Sequence, residues 1–167
     1  LAGTIHSLNT LLQLIRANRQ DNAIPCLAIR DWPSLRWRAF QDDMTRGPSS
    51  KLKTLQDQAA LGAMLKPNLM TYYMEYQYEF RKHPEIGPPD GSLEPAELKS
   101  LVSHALQYHT EVLGNQQSFG HFGGILRKEP YKALGENGDV LSPVNEGTYQ
   151  LLDDMYSEVC PLLPFEM

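Results

Sequence analysis

The chain has 167 residues, 41% of them hydrophobic, and only two cysteines, so it is long enough to bury one core without disulfide or metal staples. Its 20 acidic against 15 basic side chains leave a formal charge of −5, which excludes a general phosphate-backbone binder, because that role draws on excess Lys and Arg to displace counterions. Nucleic acid is therefore not an expected partner, and no apolar run approaches the roughly 18 residues that a membrane span requires.

The first residues show no basic-then-apolar secretion pattern and no initiating Met, so the chain reads as a soluble, trimmed piece with the cytoplasm as its default compartment. Cys26 and Cys160 stand far apart, which excludes a clustered zinc site and leaves one long-range disulfide open. The expectation is a single domain over 1–167, with an N-terminal helical part (1–66), a second part (67–160) and an apolar tail (161–167).

In chain order, Ile5, Leu8, Leu11, Leu12 and Ile15 form one stripe at helical spacing, which predicts a core-facing helix over 4–18 with Arg16 and Arg19 at its basic end. Gln20-Asp21-Asn22 breaks it. Ala23 to Ile29 is apolar but interrupted by Pro25, and reads as extended. Asp31 with Pro33 in the first turn predicts a helix that turns Leu35, Ala39 and Phe40 inward, with Arg36 and Arg38 flanking Trp37. Residues 44–50 are a linker. Leu52, Leu55, Ala59, Gly62 and Ala63 predict a further helix that must end before Pro67.

Residues 69–80 satisfy two periods at once. Met70, Tyr72, Met74, Tyr76, Tyr78 and Phe80 alternate as in a strand, whereas Leu69, Tyr72, Tyr73, Tyr76 and Phe80 make a helical stripe. The end signals decide for helix: Asn68 is a good cap, Arg81-Lys82-His83 a basic last turn and Pro84 a stop. A strand over 69–80 in an α+β fold is the alternative.

Leu93-Glu94-Pro95-Ala96-Glu97-Leu98 is a helix start, with Pro95 at the first helical position and Glu97 placed to satisfy orphan amides. The spacing carries that helix through Leu101, Val102, Ala105 and Val112 to Gly114. A glycine-rich segment around His121 follows, flanked by Phe119 and Phe122. The turn chemistry then repeats: Asp90-Gly91-Ser92-Leu93-Glu94-Pro95 is echoed by Gly138-Asp139-Val140-Leu141-Ser142-Pro143, which opens a last helix ending at Cys160-Pro161.

The repeated unit resembles an EF-hand. Gly91, Leu93 and Glu97 match that family's central glycine, its loop-pairing residue and its last ligand, while Asp90 and the Ser92 carbonyl match two further ligand positions. Ile86 and Pro88 stand where oxygen ligands belong, and Glu85 reaches the first position only through an insertion. The second copy keeps only Leu141. The resemblance implies a mostly α helical bundle whose 69–160 half pairs two helix–loop–helix units. It also implies weak Ca²⁺ binding at Glu85, Asp90, Ser92 and Glu97, or no cofactor at all.

No nucleotide-binding, zinc-protease or nucleophile-elbow motif is present. The functional expectation is a non-catalytic regulatory module that takes an apolar segment of a protein partner in a groove of Tyr72, Tyr76, Phe80, Leu101 and Met155. Two alternatives stand beside it: an enzyme with a pocket around His121, with His109 and Glu111, and a metal-free helical interaction protein of viral or bacterial origin.

Overall fold

The computed structural model describes residues 2–20 and 23–164. The break expected at Asp21 and Asn22 and the end of the apolar tail (165–167) lie outside these residues. Helix α1 spans Ala2–Ala17, then β1 Ala39–Asp43, α2 Leu52–Ala63, β2 Leu69–Tyr73, α3 Pro95–Leu106, β3 Glu111–Asn115, the single turn α4 Gly123–Leu126, and α5 Glu146–Val159. Short 3₁₀ turns occupy Lys132–Leu134 and Cys160–Leu162.

The three strands form one parallel sheet in the order β1-β2-β3, with Ala39 opposite Leu69 and Leu69 opposite Glu111. Parallel neighbours need a crossover, and α2 and α3 supply the two. Sequential order with no reversal is the singly wound pattern of β/α barrels, in contrast to doubly wound sheets, which reverse at a switch point. The expected mostly α bundle is thus corrected to α+β.

Each misread segment has a physical reason. Residues 69–73 are the central strand, paired on both edges and buried on both faces: Met70 and Tyr72 are 1% exposed on one side, Leu69 and Thr71 6% and 8% on the other. A run apolar on every side fits both periods, and only pairing chose between them. The helix expected over 31–40 is absent; residues 37–38 lead straight into β1, where the Arg38 amide donates to Asn68 Oδ1 at 2.8 Å. The α3 helix stops at Leu106, eight residues before the expected Gly114, because His109 turns to a φ of 55° and sends the chain back into β3. There the Glu111 amide donates to the Asn68 carbonyl.

Two helix starts have local causes, although α5 begins at Glu146, beyond the expected Ser142-Pro143. At α3, Pro95 sits in the first turn and the Glu94–Glu97 capping box closes as its chemistry requires. At α5, Asn145 caps by accepting from the Gly147 amide at 2.9 Å. Along α2, Leu55, Ala59 and Ala63 are buried at four-residue spacing. Leu55 and Ala59 join Met70, Tyr72, Leu98, Leu101, Val112 and Met155 in one continuous core. Fully burying a leucine there, as at Leu55 and Leu101, contributes about 1.5–3 kcal/mol. The stripe on α1 does not join it: Leu8, Leu11, Leu12 and Ile15 are exposed, and the helix is tied to the end of α2 by polar bonds, such as Asn9 Nδ2 to the Ala63 carbonyl.

Candidate functional site at the carboxyl ends of the strands

All three strands point the same way, so the segments that follow them gather at one end of the sheet, where open and closed β/α folds place their ligands. The segment after β1 brings Arg46, and the one after β2 brings Glu75, Tyr76, Ile86 and Pro88. The long connection after β3 brings His121, Gly123, Gly124, Arg127, Lys128 and Asp139. Together they line a cleft of about 420 Å³.

Arg46 Nη1 lies 3.5 Å from Glu75 Oε1 and its Nε 3.7 Å from Asp43 Oδ2. The guanidinium also stands 5.7 Å from the centre of the Tyr73 ring, within cation–π range, and His121 meets Tyr73 edge-on at 6.3 Å. Asp43, followed by Glu75, raises the Arg46 pKa, with burial opposing. Burial works against ionisation of Asp43, but the Thr45 hydroxyl and amide together with Arg46 outweigh it and hold the carboxyl below its ordinary value. Burial, then the Glu75 hydrogen bond, pushes the Tyr73 phenol upward.

Two residues here have backbones in the left-handed region, Glu75 with φ 44° and His121 with φ 56°. Such a conformation costs a non-glycine residue about 1–3 kcal/mol and collects at ligand sites. Glu75 is held by its neighbours: its amide donates to Gln117 Oε1 at 3.0 Å and its carbonyl accepts from Gln116 Nε2 at 2.7 Å. Asp139 accepts from the Gly123 amide at 3.0 Å, pinning the start of α4. Gly124 lets the Tyr76 ring lie on that turn, for a Cβ there would come within 2.4 Å of Tyr76 Cδ1.

The residues singled out from sequence are dispersed. His121 lines the cleft, but His109 precedes β3 and Glu111 opens it, so both sit at the opposite end of that strand. Tyr72, Phe80, Leu101 and Met155 are at most 1% exposed, so these four line no groove for a partner's apolar segment; of the five residues only Tyr76 reaches the cleft. Of the residues matched to calcium, Glu97 Oε2 accepts from the Glu94 amide, the Ser92 hydroxyl donates to the Pro88 carbonyl, Glu85 Oε2 accepts from Tyr131, and Asp90 is exposed. Among the described residues no group of His, Cys, Asp or Glu is arranged to hold a metal. The two turn leucines are not paired: Leu93 bridges to Tyr78, and Leu141 to Gly135. Cys26 and Cys160 are both free and exposed.

Arg46, Glu75, Gln116 and Gln117 escaped sequence reading. Arg46 lay in a segment read as linker and Glu75 in one read as helix. The signal that finds them is positional, since each follows a strand of a parallel sheet, and it is legible only once the strands are known.

No family model matches the sequence. The fold is that of a portion of β-N-acetylhexosaminidases, enzymes of glycoside hydrolase family 20. The chitobiase of Flavobacterium johnsoniae superposes with a TM-score of 0.81 at 23% identity, covering 97% of this chain and 27% of that one. An exo-β-N-acetylglucosaminidase of Vibrio harveyi, captured with N-acetylglucosamine, gives 0.81 at 20% identity over 97% of this chain and 31% of its own. By sequence, a β-hexosaminidase of Vibrio furnissii is 24% identical over 201 aligned positions, 97% of this chain and 32% of that protein. The chain thus spans about a third of the curated relative it matches.

These likenesses overturn the EF-hand-like reading, and with it the calcium-linked regulatory module and its apolar protein partner. The relatives are hexosaminidases, closer to the enzyme alternative than to a regulatory module.

Proposed function

We propose that this chain builds one wall of a sugar-binding site in a glycoside hydrolase that releases β-linked N-acetylhexosamine. The observation that carries the reading is the Arg46–Glu75 pair at the carboxyl ends of the parallel strands, in a fold matching β-N-acetylhexosaminidases over 97% of the chain. A pyranose presents adjacent hydroxyls, each able to donate one hydrogen bond and accept others. A guanidinium only donates and an ionised carboxylate only accepts, so the two side by side suit a vicinal diol. The Tyr76 ring supplies an apolar surface for the C–H face of the sugar.

Glu75, already engaged by Arg46, binds and orients in this reading, and the proton transfer to the leaving oxygen belongs to another carboxyl group. Hydrolysis so described draws on water and side chains and needs no cofactor. The preference for an acetamido sugar rests on the relatives.

Saturation-transfer NMR on the full-length protein, comparing N-acetylglucosamine with glucose, tests the binding, and a chromogenic N-acetyl-β-glucosaminide tests turnover. The expected result is transfer to N-acetylglucosamine at roughly millimolar concentration, little to glucose, and release of the chromophore. A folded protein that binds neither sugar and leaves the glycoside intact overturns the proposal.

A further inference from the structure

We infer that Gln117, seconded by Gln116, is a positioning residue that aims the Glu75 carboxylate into the cleft; the inference rests on the sugar-site reading above. The two carboxamides take both backbone groups of Glu75. Gln117 Oε1 receives its N–H at 3.0 Å, and Gln116 Nε2 donates to its C=O at 2.7 Å. With both peptide groups fixed, the φ of 44° is fixed too, and so is the direction in which the side chain leaves the backbone.

The clamp has its own anchor. Gln117 Nε2 donates to Asn115 Oδ1 at 3.1 Å, which turns the other end of its carboxamide, the oxygen, toward Glu75. Asn115 closes β3, sits opposite Tyr73 in the ladder, and its carbonyl accepts from the Met74 amide at 3.0 Å. The strained residue is thus held from the end of the neighbouring strand as well as by its own turn, in which the Gln77 amide donates to the Met74 carbonyl at 2.7 Å. A left-handed glutamate would relax toward an ordinary conformation if released, and its carboxylate would swing away from Arg46, 3.5 Å distant.

The test compares Gln117→Met, which keeps the length and loses the acceptor, with Gln117→Glu, which keeps an acceptor oxygen, and with Glu75→Ala, all in the full chain. Affinity for N-acetylglucosamine is read by NMR titration and Tm by calorimetry. For Gln117→Met the dissociation constant is expected to rise about tenfold with little change in Tm, and Gln117→Glu is expected to recover most of the affinity. Wild-type affinity in Gln117→Met, while Glu75→Ala loses binding, overturns the positioning role and leaves the sugar site standing. Wild-type affinity in Glu75→Ala overturns the sugar-site reading itself. Should Gln117→Met fail to fold, Gln116→Met removes the second bond and carries the same expectation.

Discussion

Arg46 and Glu75 face each other at 3.5 Å across the ends of two neighbouring strands, and they are unequally exposed: 58% of the Arg46 side chain is open to solvent, against 9% for Glu75. The carboxylate is built into the wall of the cleft, while the guanidinium reaches over it toward whatever enters. An ion pair this open contributes little to folding, about 0–1 kcal/mol. Arg46→Ala is therefore expected to leave Tm nearly unchanged and to raise KM or Kd for sugar by about tenfold, the loss of one charge-assisted contact. Arg46→Lys should not restore it, since an ammonium lacks the fork that serves two oxygens. Titration of both variants with N-acetylglucosamine checks this, and an unchanged Kd in Arg46→Ala would count against it.

Gly124 supports the same wall by having no side chain. A Cβ there would meet Tyr76 at 2.4 Å, with a second ring carbon at 2.7 Å. Gly124→Ala is expected to push the ring out of the cleft and to destabilise by about 1–3 kcal/mol, as overpacking does. Urea unfolding measures the loss.

Tyr78 and Tyr131 are both pushed up to about 12 from 10.0, chiefly by burial, with Glu158 second at Tyr78 and Glu85 second at Tyr131. An acid whose pKa is raised by folding contributes stability that is complete below its unfolded value and fades as pH climbs through the folded one. The protein should therefore lose stability between about pH 10 and 12, with phenolate absorbance from these two rings appearing only as it unfolds. Their hydroxyls differ. Tyr78 Oη is buried without a hydrogen-bond partner among the described residues, so Tyr78→Phe should be neutral or stabilising. Tyr131 Oη bonds Glu85 and His83, so Tyr131→Phe should cost about 0.5–1.5 kcal/mol.

Asp154 on α5 holds the segment that follows Phe80. It accepts from Lys82 Nζ at 2.7 Å and lies 3.3 Å from His83 Nε2, while Glu158 accepts from the Arg81 and Lys82 amides. The Lys82 hydrogen bond, against some opposition from burial, holds the Asp154 carboxyl below its ordinary 3.8. A depressed carboxyl stabilises above its unfolded pKa, and that contribution disappears as pH falls through the folded value. Melting curves of wild type and Asp154→Asn should thus differ at pH 7 and converge below about pH 4. A gap that persists unchanged into acid would contradict the assignment.

Several local features were legible without a structure, and they share a cause. The Pro95 start with Glu97 at its third position and the halt of α2 before Pro67 are set by bonds and clashes within a few residues, whereas the basic-then-proline run after Phe80 pointed to a helix end where the structure has none. Other features were misread for the same reason. The turn at 90–95 and its echo at 138–143 look alike because both are bends with a buried leucine, yet Leu93 answers to Tyr78 and Leu141 to Gly135. His121 attracted notice through its glycines, but its proposed companions His109 and Glu111 are one strand length away.

By itself the sequence determined where α3 begins and that the chain carries excess negative charge, because these follow from neighbouring residues or from sums over all of them. Only the tertiary structure decided that residues 69–73 are a central strand and that Arg46, Glu75 and His121 share a cleft. A strand's identity lies in hydrogen bonds to segments some thirty to forty residues away, and parallel alignment is what carries three separate loops to the same end of the sheet. No local pattern encodes either one.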